Sequence, residues 1–167
     1  KDSVGGVIQL EVHGLPPGLG DPLFGKLDAR LCAGILTIGA IKGVEVGTGF
    51  ALAAMRGSAA NDRMEDGRFL SNHHGGILGG ISTGAPIMMR IVVKPTASIA
   101  QPQWTTNEAG DNVELEVLGR HDPCIVPRAV PVIENMAAAI LLDAWEVQCR
   151  INPQWAQEFP SPMNAPQ

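Results

Sequence analysis

No stretch of the 167 residues reaches the about 18 apolar positions that a membrane-spanning helix needs, because glycine, proline or charge interrupts every hydrophobic run. A bilayer span is therefore not expected. Cysteine is scarce, and Cys32, Cys124 and Cys149 contain no CxxC pair. Their odd number cannot close into a complete disulfide set, which predicts a reducing, cytoplasmic setting. Basic residues are not in excess: 12 Lys and Arg against 17 Asp and Glu give a net charge of -5. That balance argues against a broad electrostatic attraction to nucleic acid, so any anionic ligand must be held locally. No internal repeat or linker divides the chain. With 45% hydrophobic and only 17% charged residues, it predicts one packed domain. The chain opens KDSVGG, without an initiator Met or a basic-then-apolar leader. The expectation is that it carries no secretory signal and is a truncated or clipped piece.

The patterns that are present describe short strands and two helices. VIQLEV at 7–12 alternates as a strand and runs into the Pro/Gly loop GLPPGLGDP. Leu23, Leu27, Leu31 and Ile35 recur at helical spacing, predicting a helix over 22–38. IKGVEVGTGF is β-branched and studded with glycine, which suggests a strand with a bulge or a close backbone approach. The polar stretch from Met55 to His74 lacks apolar periodicity and predicts a mobile surface loop, a candidate lid. A glycine-dense run, GGILGGISTGAP, precedes the strand IMMRIVVK, which ends at Pro95. A second polar loop is expected over 101–112, then a strand in ELEVLG and a proline-punctuated turn. A core helix is expected from about Pro131 to Arg150, where Val132, Met136, Ala139, Ile140, Ala144 and Val147 form a stripe. Residues 151–167 are expected to be irregular. This order predicts an α+β domain, with helices covering one face of a mostly antiparallel sheet.

Two groups of residues bear on chemistry without reference to any family. Lys94 ends a strand directly before Pro-Thr-Ala-Ser, whose hydroxyls and N–H groups could cradle a phosphate. On local sequence alone a solvated surface cation is the commoner reading of such a lysine. Arg120, His121 and Asp122 fall between a strand and a proline turn, where side chains can converge on a cleft. The alternative is an Arg120–Asp122 pair that pins the turn. Arg56, Arg63, Arg68, Arg90 and Arg128 add cations, and those on the polar loop also read as solvated surface charge. Adjacent His73 and His74 are poor joint metal ligands, and no Cys or acidic cluster completes a site, so no metal is expected.

GRHDPCIVPRAVP at 119–131 and NHHGGILGGISTGAPI at 72–87 resemble the C-terminal signature and the glycine-rich segment of chorismate synthase. KDSVGG, IKGVEVGTGF, RGS and RIVVKPTASI stand in the matching order, so the resemblance covers about 1–150 and leaves 151–167 as a tail. It implies the C-terminal part of that enzyme, one half of its β-α-β sandwich. The implied reaction converts 5-enolpyruvylshikimate 3-phosphate to chorismate by anti-1,4-elimination of phosphate with reduced FMN, in aromatic amino acid biosynthesis. The implied flavin contacts are Gly39, Ala40, Gly79, Lys94, Pro95, Thr96, Ala97, Ser98 and Arg120. Asp122 is the implied base, and Arg120 the group that touches cofactor and substrate. His74, Thr83 and Gly39 depart from the usual pattern, which leaves backbone contacts intact there. The resemblance further implies a homotetramer, and NADPH as flavin reductant in only part of the family. The family's two acid/base histidines belong to N-terminal motifs that His13, His73, His74 and His121 do not match, so this chain alone is expected to be inactive. The alternative is a folded assembly or flavin-binding module without turnover.

Overall fold

Alternation of apolar and polar residues builds the central sheet. The computed structural model describes residues 2–164; Lys1 of KDSVGG and the last three residues of the tail lie outside the described residues. Strand β1 (Gly6–Val12) turns Ile8 and Leu10 inward. Strand β7 (Ile87–Val93) buries Ile87, Met89, Ile91 and Val93, and sends Arg90 and Val92 to the other face. Strand β2 (Ile41–Val46) completes a sheet of order β1-β7-β2, antiparallel at both joins. The pairing of β2 slips between Ile41 and Gly43, which is the bulge that its glycines predict. The sheet is too narrow to bury its apolar face by itself, so helices must cover it.

Helix α1 (Leu27–Leu36) and helix α3 (Val126–Ile151) supply that cover. Leu27, Leu31 and Ile35 face inward with Ile133, Ala137, Leu141 and Ala144, in one core with the sheet residues. The two helices lie close at Gly34, where a Cβ would fall 2.4 Å from Ile140 Cδ1. The α+β class and the helices on one sheet face are as expected. Helix α1 is shorter than the predicted 22–38, because Leu23 and Phe24 are exposed and lie outside its buried stripe. Helix α3 starts earlier than Pro131. Pro127 occupies its first turn, where no N–H partner is needed, and Pro131 sits inside.

Two predicted loops carry structure. The stretch from Met55 to His74 contains the short helix α2 (Gly57–Ala60) and a hairpin of β3 (Met64–Glu65) with β4 (Arg68–Phe69). The expected loop at 101–112 and strand in ELEVLG are replaced by a hairpin of β8 (Gln103–Thr106) with β9 (Asn112–Leu115), so the strand falls earlier than the alternation suggests. The tail is not wholly irregular either: helix α4 (Pro153–Glu158) starts on Asn152, whose side chain accepts from the Trp155 N–H.

The glycine-dense run folds as a tight hairpin of β5 (Ile77–Leu78) and β6 (Ile81–Ser82). Ser82 is buried, and its hydroxyl accepts from Leu19 N at 2.9 Å while donating to Pro16 O at 2.7 Å. Ser82→Ala strands both of those backbone groups, so we expect a loss of about 2 kcal/mol in urea denaturation.

Candidate functional site

The sheet register brings the segment after β7 against two other pieces of chain. Val93 pairs with Gly6 on one side and Ile41 on the other, so the starts of β1 and β2 meet the end of β7. Lys94 N then donates to Ala40 O at 2.9 Å. Ala40 itself has φ 71, a left-handed conformation that is costly for a residue with a Cβ and that persists where the surroundings enforce it. Space beside Gly39 is open. Ser3 Oγ donates to Thr96 O at 2.6 Å, fixing the Pro-Thr-Ala-Ser turn to the start of the chain. The Thr96 hydroxyl is buried and has no hydrogen-bond partner among the described residues. Buried polar atoms are nearly always satisfied, so an orphaned hydroxyl marks a place where a ligand or water completes the shell.

The RHDP turn closes on the same region. Val4 N donates to Pro123 O at 2.8 Å, and His121 Nε2 lies 2.8 Å from Val117 O. Ser3, Ile99, Ala100, Leu118, His121 and Asp122 line one cavity of about 450 Å³. Asp122 pairs with Arg128 at 3.2 Å, not with Arg120. The cause is the early start of α3, which sets Arg128 in its first turn. Arg120 is exposed, with no ion pair among the described residues. The structure thus gathers Ala40, Lys94, Thr96 and Asp122, with Gly39 and Arg120 at the margin. Pro95 and Ala97 are exposed, and Ser98 is half-buried.

Gly79 does not join this group. It forms the tip of the β5–β6 hairpin, beside the start of α1, where Leu27 N donates to Gly80 O at 2.8 Å. Gly39 lies past the other end of that 10-residue helix, about 15 Å along its axis. Open space surrounds the Gly79 Cα, so something outside this fold can approach it.

The loop arginines also lie elsewhere. Gly47 N bonds Met88 O, and Asn72 Nδ2 bonds Pro86 O at 2.8 Å, so the 55–74 region attaches where β7 begins. Lys94 follows its end, and the seven-residue strand separates the two by about 20 Å. Arg56, Arg63 and Arg68 are exposed there, while Arg90 pairs with Glu45 at 3.0 Å on the open sheet face.

What holds that region is a residue without a distinguishing signal in sequence, Asp62. Its side chain is only 4% exposed, and it accepts from His73 N at 2.7 Å, His74 N at 2.9 Å, Ser71 Oγ at 2.7 Å and, at 2.9 Å, the ring of His74. Burial pushes its carboxyl up, but these donors, led by the His74 and His73 N–H groups, outweigh burial and hold it well below the usual carboxylate range. His73 Nδ1 lies 3.0 Å from Thr48 Oγ1, and Thr48 N donates to His73 O. Both histidines are therefore engaged in this knot, and no group of three metal-ligating side chains gathers among the described residues. The polar stretch is pinned at Asp62, which the predicted mobile lid did not foresee.

Comparison with known proteins completes the picture. The family model described as chorismate synthase matches residues 1–145. The chain is 57% identical over 150 residues to a chorismate synthase of Porphyromonas gingivalis, an alignment covering 87% of this chain and 41% of that protein. It is 54% identical over 146 residues to the Methylorubrum populi enzyme, covering 84% and 40%. A solved structure titled Crystal Structure of Chorismate Synthase superposes with a TM-score of 0.67 at 33% identity, covering 86% of this chain and 37% of that one. The chain spans about two fifths of the length of the curated relatives it matches. By sequence and by fold, the chain belongs to the chorismate synthase family.

Proposed function

We propose that this chain is the C-terminal part of a chorismate synthase and supplies a large share of its FMN cradle. The observation that carries the reading is the buried, unpartnered Thr96 hydroxyl, set in a turn between Lys94 and the Asp122 cavity. A hydroxyl donor, backbone N–H groups and a lysine are the groups that a phosphate-bearing cofactor calls for. In this reading Lys94, Pro95, Thr96, Ala97 and Ser98 hold the cofactor phosphate and its neighbourhood, while Gly39 and Ala40 leave room for a flat ring. Arg120 reaches cofactor and substrate from the cavity rim. Gly79 serves from its separate position, where the space is open.

Enolpyruvylshikimate phosphate is the proposed substrate of the whole enzyme, a carbon–oxygen lyase that acts on a phosphate ester. The C–O bond to phosphate breaks, and a ring C–H proton leaves from the opposite face, with no net redox change. Reduced FMN, when bound, supplies transient electron density for the C–O cleavage. Asp122, on the cavity wall, takes up the proton, and the cations beside the cavity favour the departing phosphate. The remaining acid/base groups belong to sequence outside this chain. Its own histidines are engaged otherwise: His13 with Glu11, His73 with Thr48, His74 with Asp62 and His121 with Val117. The isolated chain accordingly binds flavin without turning over. A cytoplasmic homotetramer is the proposed state of the whole protein, with NADPH a reductant in only some members.

Titration of FMN against the chain, followed by flavin fluorescence, tests this reading. We expect saturable binding. Because a hydrogen bond to a charged group is worth about 1.5–3 kcal/mol, Lys94→Ala should weaken binding roughly 10- to 100-fold. Unchanged affinity in that variant would remove the cradle assignment.

A further inference from the structure

The family match ends at residue 145, yet the chain beyond it is ordered against the body of the fold. The Trp155 ring stands edge-on to Trp145, 5.9 Å between centroids, and lies 5.1 Å from Phe159. Trp145 Nε1 donates to Phe159 O at 3.3 Å. Ser161 is buried; its hydroxyl bonds Glu146 of α3 and accepts from Met163 N at 3.2 Å. Aromatic pairs of this kind add to plain area burial, so the segment is anchored and does not trail.

Its polar contact with the most distant part of the chain points away from α3. Trp155 Nε1 donates to Pro17 O at 2.8 Å, and a Cβ on Gly18 would lie 3.0 Å from that same nitrogen. The Pro16–Gly20 loop in turn holds the β5–β6 hairpin by backbone. Gly18 N donates to Ser82 O at 3.0 Å, Ser82 N donates to Leu19 O at 2.9 Å, and Gly20 bridges Ile81. Leu19 is fully buried, so this loop cannot shift without disturbing the core. One contact therefore joins Trp155 to the Pro16–Gly20 loop, and three more join that loop to the hairpin whose turn carries Gly79.

We infer that residues 152–163 are a strap, and that Trp155, acting through Pro17 and Ser82, positions the Gly79 turn and so tunes how tightly FMN is held. The second clause rests on the flavin reading above; the first does not. Trp155 is a positioning residue and does not line the Asp122 cavity. The strap acts by restricting a hairpin whose glycines otherwise leave it loose, since a two-stranded turn of this size is not stable alone.

Hydrogen exchange followed by mass spectrometry on the full chain tests the strap directly. Trp155→Phe keeps a ring against Trp145 and Phe159 and removes only the donor to Pro17. We expect exchange over 77–84 to quicken about fivefold in Trp155→Phe, the worth of one neutral hydrogen bond, and about tenfold or more in Trp155→Ala. If either variant loosens only 152–163 and leaves 77–84 at the wild-type rate, the strap does not reach the hairpin and the inference falls. In parallel, the FMN dissociation constant should rise about fivefold in Trp155→Phe. An unchanged constant beside a loosened hairpin would overturn the tuning role. Absence of FMN binding by the wild-type chain would sink the flavin reading and that role together, while the exchange rates still decide the strap.

Discussion

Asp62→Ala will lower the stability of this fold by about 3 kcal/mol, more than any other single polar truncation among the described residues. The carboxylate is nearly sealed from solvent and satisfies two backbone N–H groups, one hydroxyl and one imidazole. Removing it leaves partly buried donors without an acceptor, a change that costs about 1–3 kcal/mol for a group left unsatisfied. For a chain of this size the thermal midpoint should fall roughly 6–12 °C. Asp62→Asn should recover little of that. One amide oxygen cannot serve four donors, and the amide NH2 would face one of the two N–H groups, that of His73 or that of His74, which bond different carboxylate oxygens. The same residue sets an acid limit. Its folded-state pKa lies below the ordinary value of 3.8, so its contribution is fully present above about pH 4 and is lost as pH falls below that value. Wild type and Asp62→Ala should therefore differ most near neutral pH and converge in urea titrations at increasingly acid pH. A gap that stays constant down to about pH 2 would show that the charge of Asp62 is not what holds the loop.

The parts of this fold that could be read from sequence are those whose side chains answer to a single period. Ile8 and Leu10 on β1, and the four alternating residues of β7, announce a half-buried sheet. Leu27, Leu31 and Ile35 announce a helix in the same way. The misreadings come from residues whose role depends on distant chain. Asp62 sits among polar neighbours, and only the approach of the 71–74 segment turns it into a buried acceptor. Trp155 belongs to a helix of six residues, too short to show a period, and what fixes it is Pro17, 138 positions away. For the candidate site, local sequence could offer Lys94 as a cation and Asp122 as a base but could not relate their turns in space. That relation comes from Ser3 and Val4, which tie the Thr96 turn and the RHDP turn to one stretch of chain. Arg128 was legible as a cation; its place against Asp122 follows from a helix start that the proline-rich sequence disguised.

The largest effect on turnover is expected from Asp122→Ala in a full-length enzyme that contains this segment. Proton transfer by a positioned side chain is worth about 10²- to 10⁴-fold, so kcat should fall within that range if Asp122 takes up the ring proton. Binding should change little, because the residues proposed to hold the cofactor phosphate lie on a different turn and keep their own anchor in Ser3. The variant should therefore bind FMN with nearly the wild-type constant while losing turnover, a separation of kcat from affinity that a damaged fold would not give. Arg128→Met supplies the complementary measurement. The guanidinium is 70% exposed and its partner 31%, so the ion pair itself is worth at most about 1 kcal/mol to stability. Loss of the pair should leave the melting midpoint nearly unchanged yet free Asp122 to turn, lowering kcat by a factor well short of that in Asp122→Ala. Near-normal turnover in Asp122→Ala would defeat the assignment and place the base in the part of the enzyme outside this chain.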